Sequence, residues 1–402
     1  MVIRKLVVGL LICGVLAGGT NLFGLQVASA EPVRQGGGIF YESRPDEVAL
    51  YLSDIAFVRD RVILPLGQEI RVLLPPGTYT DTLILRQDGA RVRSYRITPL
   101  EAGAYTSSVY SGRTASVLTW ETPVVTASAA SVEIELEYLL PGASWTPTYD
   151  MQVVDEENVA LAFFAEICNS ALSLDDTQVV LVAGRVDLSQ QLDQVPMVTA
   201  NQYAVGYEPV DVPGLGAGAL DLQHIYAAGP LSAEPGDTLY VSLADASLSA
   251  RREVVWDAAR QQETDVIYKV RNTTDLPLAE GIVRVYQDDL FQGSDFIETT
   301  PVGSEGSVTI GSLPDVRVRR SESREYQNPQ TADDHYLYQV TLEIMNFSED
   351  DLVLLVLDQR VPYAWDFVFS DEPVEGQDNQ LRWEITVPAG ETRTISYSFR
   401  AD

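Results

Sequence analysis

The feature that most constrains the fold is a strict alternation of apolar and polar residues, clearest in SVEIELEYLL at residues 131–140. Its apolar positions share one face: Val132, Ile134, Leu136 and Tyr138. Glutamates occupy the positions between them. Side chains of a β-strand point alternately to opposite sides, so this pattern predicts an antiparallel strand with one buried face and its acids in water. Similar alternation recurs along most of the chain, and no comparable helical periodicity follows residue 30.

A second strand is predicted directly after the first. Pro141-Gly142 breaks the alternation, and SWTPTYDMQV then restores it. Trp145 and Tyr149 lie on its apolar face, and we expect them to anchor a core rather than to form an exposed ligand platform. Pro147 shares that face and has no N–H to donate, which predicts an edge strand or a bulge at this position.

Strands and turns without helices indicate an all-β protein made of two or three antiparallel β-sandwiches of immunoglobulin-like type. We expect an N-terminal β domain at residues 31–118, a β-sandwich at residues 119–265 and a C-terminal β-sandwich at residues 266–402. Residues 187–238 are rich in Gly, Pro, Gln and Ala, which predicts a long surface loop within the second of these domains.

An asparagine at the end of a predicted strand recurs three times, at Asn169, Asn272 and Asn346. A short polar segment and another apolar strand follow each of them. Asparagine side chains readily bond to nearby backbone and start turns, so we predict three strand–loop–strand units. Asn272 and Asn346 also begin Asn-X-Ser/Thr sequences, which are glycosylation acceptors in some secreted proteins, but the turn accounts for all three positions.

The first 30 residues are predicted to be a cleaved signal peptide. Residues 4 and 5 are basic, residues 6–16 are apolar, and Ala28-Ser29-Ala30 provides the small residues before a cleavage site. The alternative, a retained anchor, is disfavoured by the break at Gly18-Gly19, since a spanning helix needs about 20 continuous apolar residues. We therefore expect an exported protein, located in the periplasm, at the cell surface or outside the cell, with no transmembrane helix in the mature chain.

The charge of the chain restricts its partners. It has 58 acidic and 27 basic residues, a net charge of −31, and loss of Arg4 and Lys5 with the signal peptide leaves 25 basic residues and a net charge of −33. So acidic a surface repels nucleic acid and anionic lipid. Acidic turns leave calcium open as a ligand, because hard cations prefer oxygen, but no Asp-X-Asp-X-Asp-Gly loop is present. We predict no cofactor.

No pattern of residues indicates a known catalytic site. His224 and His335 are the only histidines, and the Gly-X-Ser-X-Gly pattern of serine hydrolases is absent. The sequence also has no His-Glu-X-X-His zinc motif, no paired Cys-X-X-Cys and no Gly-rich phosphate loop after a strand. We expect the protein not to be an enzyme. The alternative is a glycan-acting enzyme that uses two of its many carboxylates across a cleft.

An aromatic run near the C-terminus is the one candidate ligand site. YAWDFVF places its rings at every second position and hence on one strand face: Tyr363, Trp365, Phe367 and Phe369. If exposed, this face could stack on sugar rings; if buried, it is the core of the last sandwich. We favour the core, because four exposed rings would make a large apolar patch.

The order of these motifs resembles the mucoidy-inhibitor-A-like family of bacterial exported proteins, which share a C-terminal domain of unknown function, number 4139. The resemblance rests on YLLPGASWTPTYDMQV, on NTTDLPLAEGIVRVYQDDLFQGSDFI and on LRWEITVPAGETRTISYSF, and it covers about residues 116–400. It implies an all-β exported protein with a smaller β domain in front and no defined catalytic residues. It also implies that Trp145, Pro147 and Tyr149 determine the fold. Many members carry a long coiled coil between the two parts, which this chain lacks.

These observations together predict an exported, non-catalytic protein of the cell envelope that acts as a binding or structural module. Its expected partner is an envelope polysaccharide or another envelope component. A scaffold for other exported proteins, built on residues 187–238, is a further hypothesis.

Overall fold

The computed structural model describes residues 33–35, 38–65, 69–99, 115–121, 131–184, 218–220, 223–327, 335–359, 364–372 and 380–401. Within these ranges the chain forms 26 β-strands and no helix, which confirms the all-β prediction. In chain order the strands are β1 (Val33–Gln35), β2 (Gly38–Glu42), β3 (Glu47–Tyr51), β4 (Ile55–Pro65), β5 (Glu69–Leu74), β6 (Tyr79–Gln87), β7 (Ala90–Arg91), β8 (Arg96–Pro99), β9 (Ser116–Glu121), β10 (Ser131–Pro141), β11 (Ala143–Val153), β12 (Asn158–Asn169), β13 (Leu174–Ala183), β14 (Gly218–Leu220), β15 (Gln223–Ala233), β16 (Thr238–Asp257), β17 (Asp265–Arg271), β18 (Gly281–Gln287), β19 (Leu290–Ile297), β20 (Glu305–Gly311), β21 (Val316–Gln327), β22 (His335–Asn346), β23 (Leu352–Gln359), β24 (Ala364–Ser370), β25 (Gln380–Val387) and β26 (Thr392–Ala401). The part of the chain described contains no helix that could cross a membrane.

The strands form four sheets, packed as sandwiches. The first sheet has the order β1-β2-β5-β9-β8, and the second has the order β14-β15-β13-β3-β4-β10-β6-β7. The third runs β19-β18-β11-β12-β16-β17-β20, with β23 joined to β16 and β25 to β23, and the fourth runs β21-β22-β26-β24. Most pairs are antiparallel, but β2–β5, β3–β13, β11–β18 and β16–β23 are parallel, so the sheets are mixed.

Two hydrophobic cores hold these sheets together. The first combines buried residues of the first, second and third sheets, and the second lies between the fourth sheet and the end of the third. The 20-residue strand β16 runs through both, because Leu248 belongs to the first core and Trp256 to the second. The two cores therefore share one continuous strand.

The strand pairing does not break where the sequence suggested domain boundaries. The boundaries expected at 118/119 and 265/266 fall inside β9 and β17. In addition, β10 pairs with β4 along its whole length, from Ser131 opposite Pro65 to Pro141 opposite Ile55. Sequence periodicity reports which face of a strand is buried but not which distant strand lies beside it, so this shared sheet was not foreseen.

The end of the predicted surface loop is part of a sheet. Within residues 187–238, β15 pairs with β13 in the second sheet, and its Tyr226 is buried against Trp145 with ring centroids 5.5 Å apart. The expectation of a loop is therefore wrong for residues 218–220 and 223–233. Residues 187–217 lie outside the described ranges.

The alternation of β10 and β11 is confirmed, with one correction at Glu137. The predicted apolar faces are buried, and the Pro141-Gly142 step carries the chain from the second sheet to the third. Gly142 adopts a φ of 92° there, a conformation that glycine tolerates best. Glu137 is buried rather than in water, because Arg59 and Arg86 neutralise it with N–O distances of 3.2 and 2.8 Å.

The three asparagines are buried and start turns in the same way. Each side-chain amide donates to backbone carbonyls, and each side-chain oxygen accepts from the backbone N–H two residues later: Asn169 with Leu172 and Ala171, Asn272 with Leu276 and Thr274, Asn346 with Asp350 and Ser348. The predicted turn role is therefore confirmed. Because the amides are buried and engaged, the folded chain does not offer them for glycosylation.

Candidate functional site

The aromatic run at residues 363–369 does not form one continuous face. Phe367 lies opposite Phe399 on β26, whereas Phe369 lies opposite the next residue, Ser398, because a bulge interrupts the pairing. Phe367 consequently packs against the second core, 6.3 Å from the Tyr397 ring, and Phe369 is 55% exposed on the other side. The predicted alignment of these two rings is wrong. A β-bulge shifts the alternation by one residue, which periodicity alone cannot reveal.

The other two members of that run are only partly described. Trp365 lies within β24, and Tyr363 and the side chain of Trp365 fall outside the described residues. For the part described, the site thus consists of a single exposed ring, Phe369.

The Trp-X-Pro-X-Tyr motif is in the first core, where its two aromatic residues are fully buried. Trp145 donates its indole N–H to the Val182 carbonyl at 3.2 Å, and Tyr149 donates its hydroxyl to the Ala279 carbonyl at 2.8 Å. Strand β11 is not an edge strand, but β18 pairs with it only from Thr148 onward, so Pro147 precedes that ladder. These residues hold β11 in place and are inaccessible to a ligand. They belong to the first core, whereas Phe367 packs against the second.

The acidic clusters of the sequence lie mainly at turns. Among the described residues, no group of three or more His, Cys, Asp or Glu side chains is arranged to hold a metal ion. A cleft of about 690 Å³ lies where the ends of the third sheet meet the turn after β22, and carboxylates line it: Asp155, Glu156, Asp288, Asp315, Asp350 and Asp351. Asp155 and Asp351 there accept backbone N–H bonds from Glu157 and Ala389, so they cap turns.

The most perturbed carboxyl group is Asp60, in the first core. Tyr41 and Ser43 donate their hydroxyls to it at 2.9 and 2.6 Å, and the backbone N–H of Arg44 donates at 3.0 Å. Burial raises its pKa from 3.8 to about 7; the hydrogen bonds from Ser43 and Tyr41 oppose this rise, and Asp46 adds to it. Asp60 is only 1% exposed, so this group is part of the core rather than a site for a ligand.

Asp60 should make stability depend on pH. A carboxyl whose pKa is higher in the folded than in the unfolded chain stabilises the fold below its unfolded pKa, and that contribution is lost as the pH rises through about 7. From about pH 4 to about pH 8 we expect the free energy of unfolding of the wild type to fall relative to that of Asp60→Asn by on the order of 4 kcal/mol. Urea titrations across this range measure the difference. Asp54→Asn, at an exposed turn, is the control, and parallel curves for all three proteins would contradict the assignment.

The outer face of the third sheet carries a second, larger set of exposed rings. The register across β19, β18, β11, β12 and β16 places side chains in three neighbouring rows: Phe296, Ile282, Thr148, Phe164 and Ser242; then Ser294, Arg284, Asp150, Ala162 and Asp245; then Phe291, Tyr286, Gln152, Ala160 and Ser247. We call this surface the outer face. Cys168 is exposed at its margin, because its neighbours Ile167 and Asn169 take the inward positions.

Exposed apolar side chains are concentrated at one end of the outer face. Phe291 is 60% exposed, Phe296 54% and Ile282 49%. Tyr286 is half-buried, and the Phe291 ring meets it edge-on with centroids 5.7 Å apart. Single exposed apolar residues are ordinary on protein surfaces, but two apolar pairs on one sheet face, Ile282 with Phe296 and Tyr286 with Phe291, are typical of a binding surface.

A shallow trough extends from Tyr286 across the sheet. Its volume is about 480 Å³, and its lining includes Tyr286, Gln152, Asp150 and Asp245. The small residues Ala160, Ala162 and Ser247 form part of the lining, so the trough is open along its length. An aromatic ring beside carboxylates and an amide, over a floor of small residues, is an arrangement that can hold an extended ligand carrying both apolar and hydroxyl surfaces.

The outer face was not predicted from the sequence, although β18 has large apolar residues on both of its faces. In GIVRVYQ both alternating sets contain large apolar residues: Val283 and Val285 are buried, whereas Ile282 and Tyr286 face outward. A strand whose outward positions are apolar predicts a covered or ligand-binding face. Which strands would extend that face could be known only from the strand order.

Comparison with protein families gives one match. A model described as a domain of unknown function, DUF4139, matches residues 134–402. The match starts inside β10, so strands β4 and β6, which pair with β10, precede the matched segment. The outer face lies wholly within the matched residues. A search of curated proteins found no match.

Proposed function

The chain belongs to the DUF4139 family, and we propose that it is an exported, non-catalytic binding module of the cell envelope whose outer face holds a polysaccharide. The observation that carries this proposal is the two apolar pairs on one sheet face, Ile282 with Phe296 and Tyr286 with Phe291, with Tyr286 at the head of the trough. Sugar rings present an apolar face, which aromatic side chains cover, and hydroxyls at their edges, which carboxylates and amides bind.

Export is supported by the first 30 residues, with their basic start, apolar run and small residues at Ala28-Ser29-Ala30. A location in the envelope, on the cell surface or in the medium agrees with the strong negative charge, which keeps the protein away from nucleic acid and anionic lipid. The order of motifs over about residues 116–400 further supports membership of the mucoidy-inhibitor-A-like group within the family.

The proposal predicts that ring removal on the outer face weakens polysaccharide binding. Tyr286→Ala and Phe291→Ala are each expected to raise the Kd for a binding envelope or exopolysaccharide fraction at least tenfold, or about 1.4 kcal/mol. Affinity electrophoresis and co-sedimentation of residues 31–402 with isolated fractions measure this. Phe369→Ala is the matched control, because it removes an equally exposed ring from another sheet.

The outcomes separate three cases. Equal binding by all variants would contradict the outer-face site, and loss only in Phe369→Ala would move the site to β24. No binding of the wild type to any fraction would overturn the polysaccharide proposal in favour of a protein partner. Circular dichroism of each variant confirms that it is folded.

A second candidate function rests on the same trough. Asp150 and Asp245 lie two strands apart with Ala162 between them, a separation of roughly 10 Å given strand spacings of about 4.8 Å. This is close to the range in which two carboxylates act on a glycosidic bond through an intervening water. Release of new reducing ends from a bound polysaccharide, lost in Asp245→Asn, would establish this enzyme activity, and its absence would leave binding alone.

A further inference from the structure

We infer that the outer face selects polymers of sugars with free, protonated amines over anionic polysaccharides. This inference rests on the proposed function and specifies the chemistry of its ligand. Its basis is the set of charged side chains on the outer face.

The outer face has one cation, and a carboxylate neutralises it. Arg284 is the one basic side chain in its three rows, and its Nε contacts the Asp150 carboxylate at 2.7 Å. A carboxylate or sulfate group of a ligand would have to share Arg284 with Asp150, whose negative charge opposes its approach. Tyr286 and Gln152, the next side chains along the trough, carry no charge.

One carboxylate of the outer face has no cation paired with it. Asp245 lies opposite Ala162 at the exposed edge of the trough, and among the described residues no side chain pairs with it. With Asp150 and Arg284 it leaves the three rows with a net charge of −1. The trough that Asp150 and Asp245 line also contains the Tyr286 ring, and carboxylates near an aromatic ring favour an ammonium group.

The charge of the whole chain acts in the same direction. At physiological ionic strength, charges are screened beyond about 8 Å, so the local carboxylates decide which group binds in the trough. The overall charge of −31 affects the approach of a polymer, attracting polycations and repelling polyanions. The carboxylates in the trough and the overall charge of the chain therefore both favour a cationic polymer.

Three polymers of matched length test the inference: a water-soluble glucosamine polymer, its N-acetylated counterpart and a polyuronate. At a pH at which the amines are protonated, we expect the glucosamine polymer to bind at least tenfold more tightly than the acetylated one, and the polyuronate not to bind. Asp245→Asn should weaken binding of the glucosamine polymer about tenfold and that of the acetylated polymer less than twofold. Asp175→Asn, an exposed acid of β13, is the control for the change in net charge.

The controls distinguish the inference from the proposed function. Equal binding of the free-amine and acetylated polymers, both lost in Tyr286→Ala, would overturn the inference and leave the polysaccharide site standing. Preferential binding of the polyuronate would also overturn it. Binding of the glucosamine polymer that is unaffected by Tyr286→Ala but equally weakened by Asp245→Asn and Asp175→Asn would indicate non-specific attraction and contradict both.

Discussion

Arg320→Met is expected to destabilise the second core by about 3–5 kcal/mol, the usual cost of leaving a buried charge without its partner. The Asp358 carboxylate is completely buried, and the Arg320 guanidinium contacts it at 2.9 Å. Tyr397 also donates its hydroxyl to this carboxylate at 2.7 Å. Burial lowers the pKa of Arg320, but Asp358 and Glu322 together outweigh burial and raise that pKa above its usual value.

The same strand provides a matched control for this change. Arg317→Met removes an arginine from the exposed face of β21 and should change the free energy of unfolding by less than about 0.5 kcal/mol. The double variant Arg320→Met/Asp358→Leu, which removes both charges, should recover much of the lost stability. Chemical denaturation followed by tryptophan fluorescence measures all three. Similar losses of unfolding free energy for Arg320→Met and Arg317→Met would contradict a special contribution of the buried pair to stability.

Asn272→Asp is expected to cost about 3 kcal/mol or more, although the two side chains have the same shape. The Asn272 amide donates to the carbonyls of Leu276 and Thr300 at 2.9 and 3.0 Å in a fully buried position. An aspartate would place an oxygen, which cannot donate, against those two carbonyls, and buried polar groups without partners cost about 1–3 kcal/mol each.

Thermal and urea unfolding of Asn272→Asp and of the control Gln262→Glu measure this effect. The control makes the same amide-to-acid change at an exposed side chain, so it should shift stability by less than about 0.5 kcal/mol. Asn346→Asp should behave like Asn272→Asp but act on the second core, because its amide donates to Asp350 and Val387. A stable Asn272→Asp protein would contradict the role of these turns.

The sequence predicted what is local to a strand. Alternation identified the buried faces of β10 and β11, the Trp145 motif identified core anchors, and three asparagines identified equivalent turns. Each of these follows from neighbouring residues, because side-chain direction and turn formation are set within a few residues.

Features that depend on distant strands were not predicted. The bulge that separates Phe367 from Phe369 depends on pairing with β26, and the outer face depends on five strands brought side by side from residues 144–168, 238–249 and 281–297. Glu137 shows the same limit in a single residue: it is buried because Arg59 and Arg86, on strands β4 and β6, neutralise it. Strand order is a property of the whole fold.

The most direct test of the outer-face site is hydroxyl-radical footprinting of the protein with and without a bound polysaccharide, read by mass spectrometry. The glucosamine polymer, or the envelope fraction that binds best, serves as the ligand. We expect oxidation of Phe291, Phe296 and Tyr286 to fall on binding, whereas Phe369 and Phe347, which are also exposed, should stay equally reactive. Protection of Phe369 alone, or unchanged oxidation at all five residues under saturating ligand, would contradict the assignment of the binding site to the outer face.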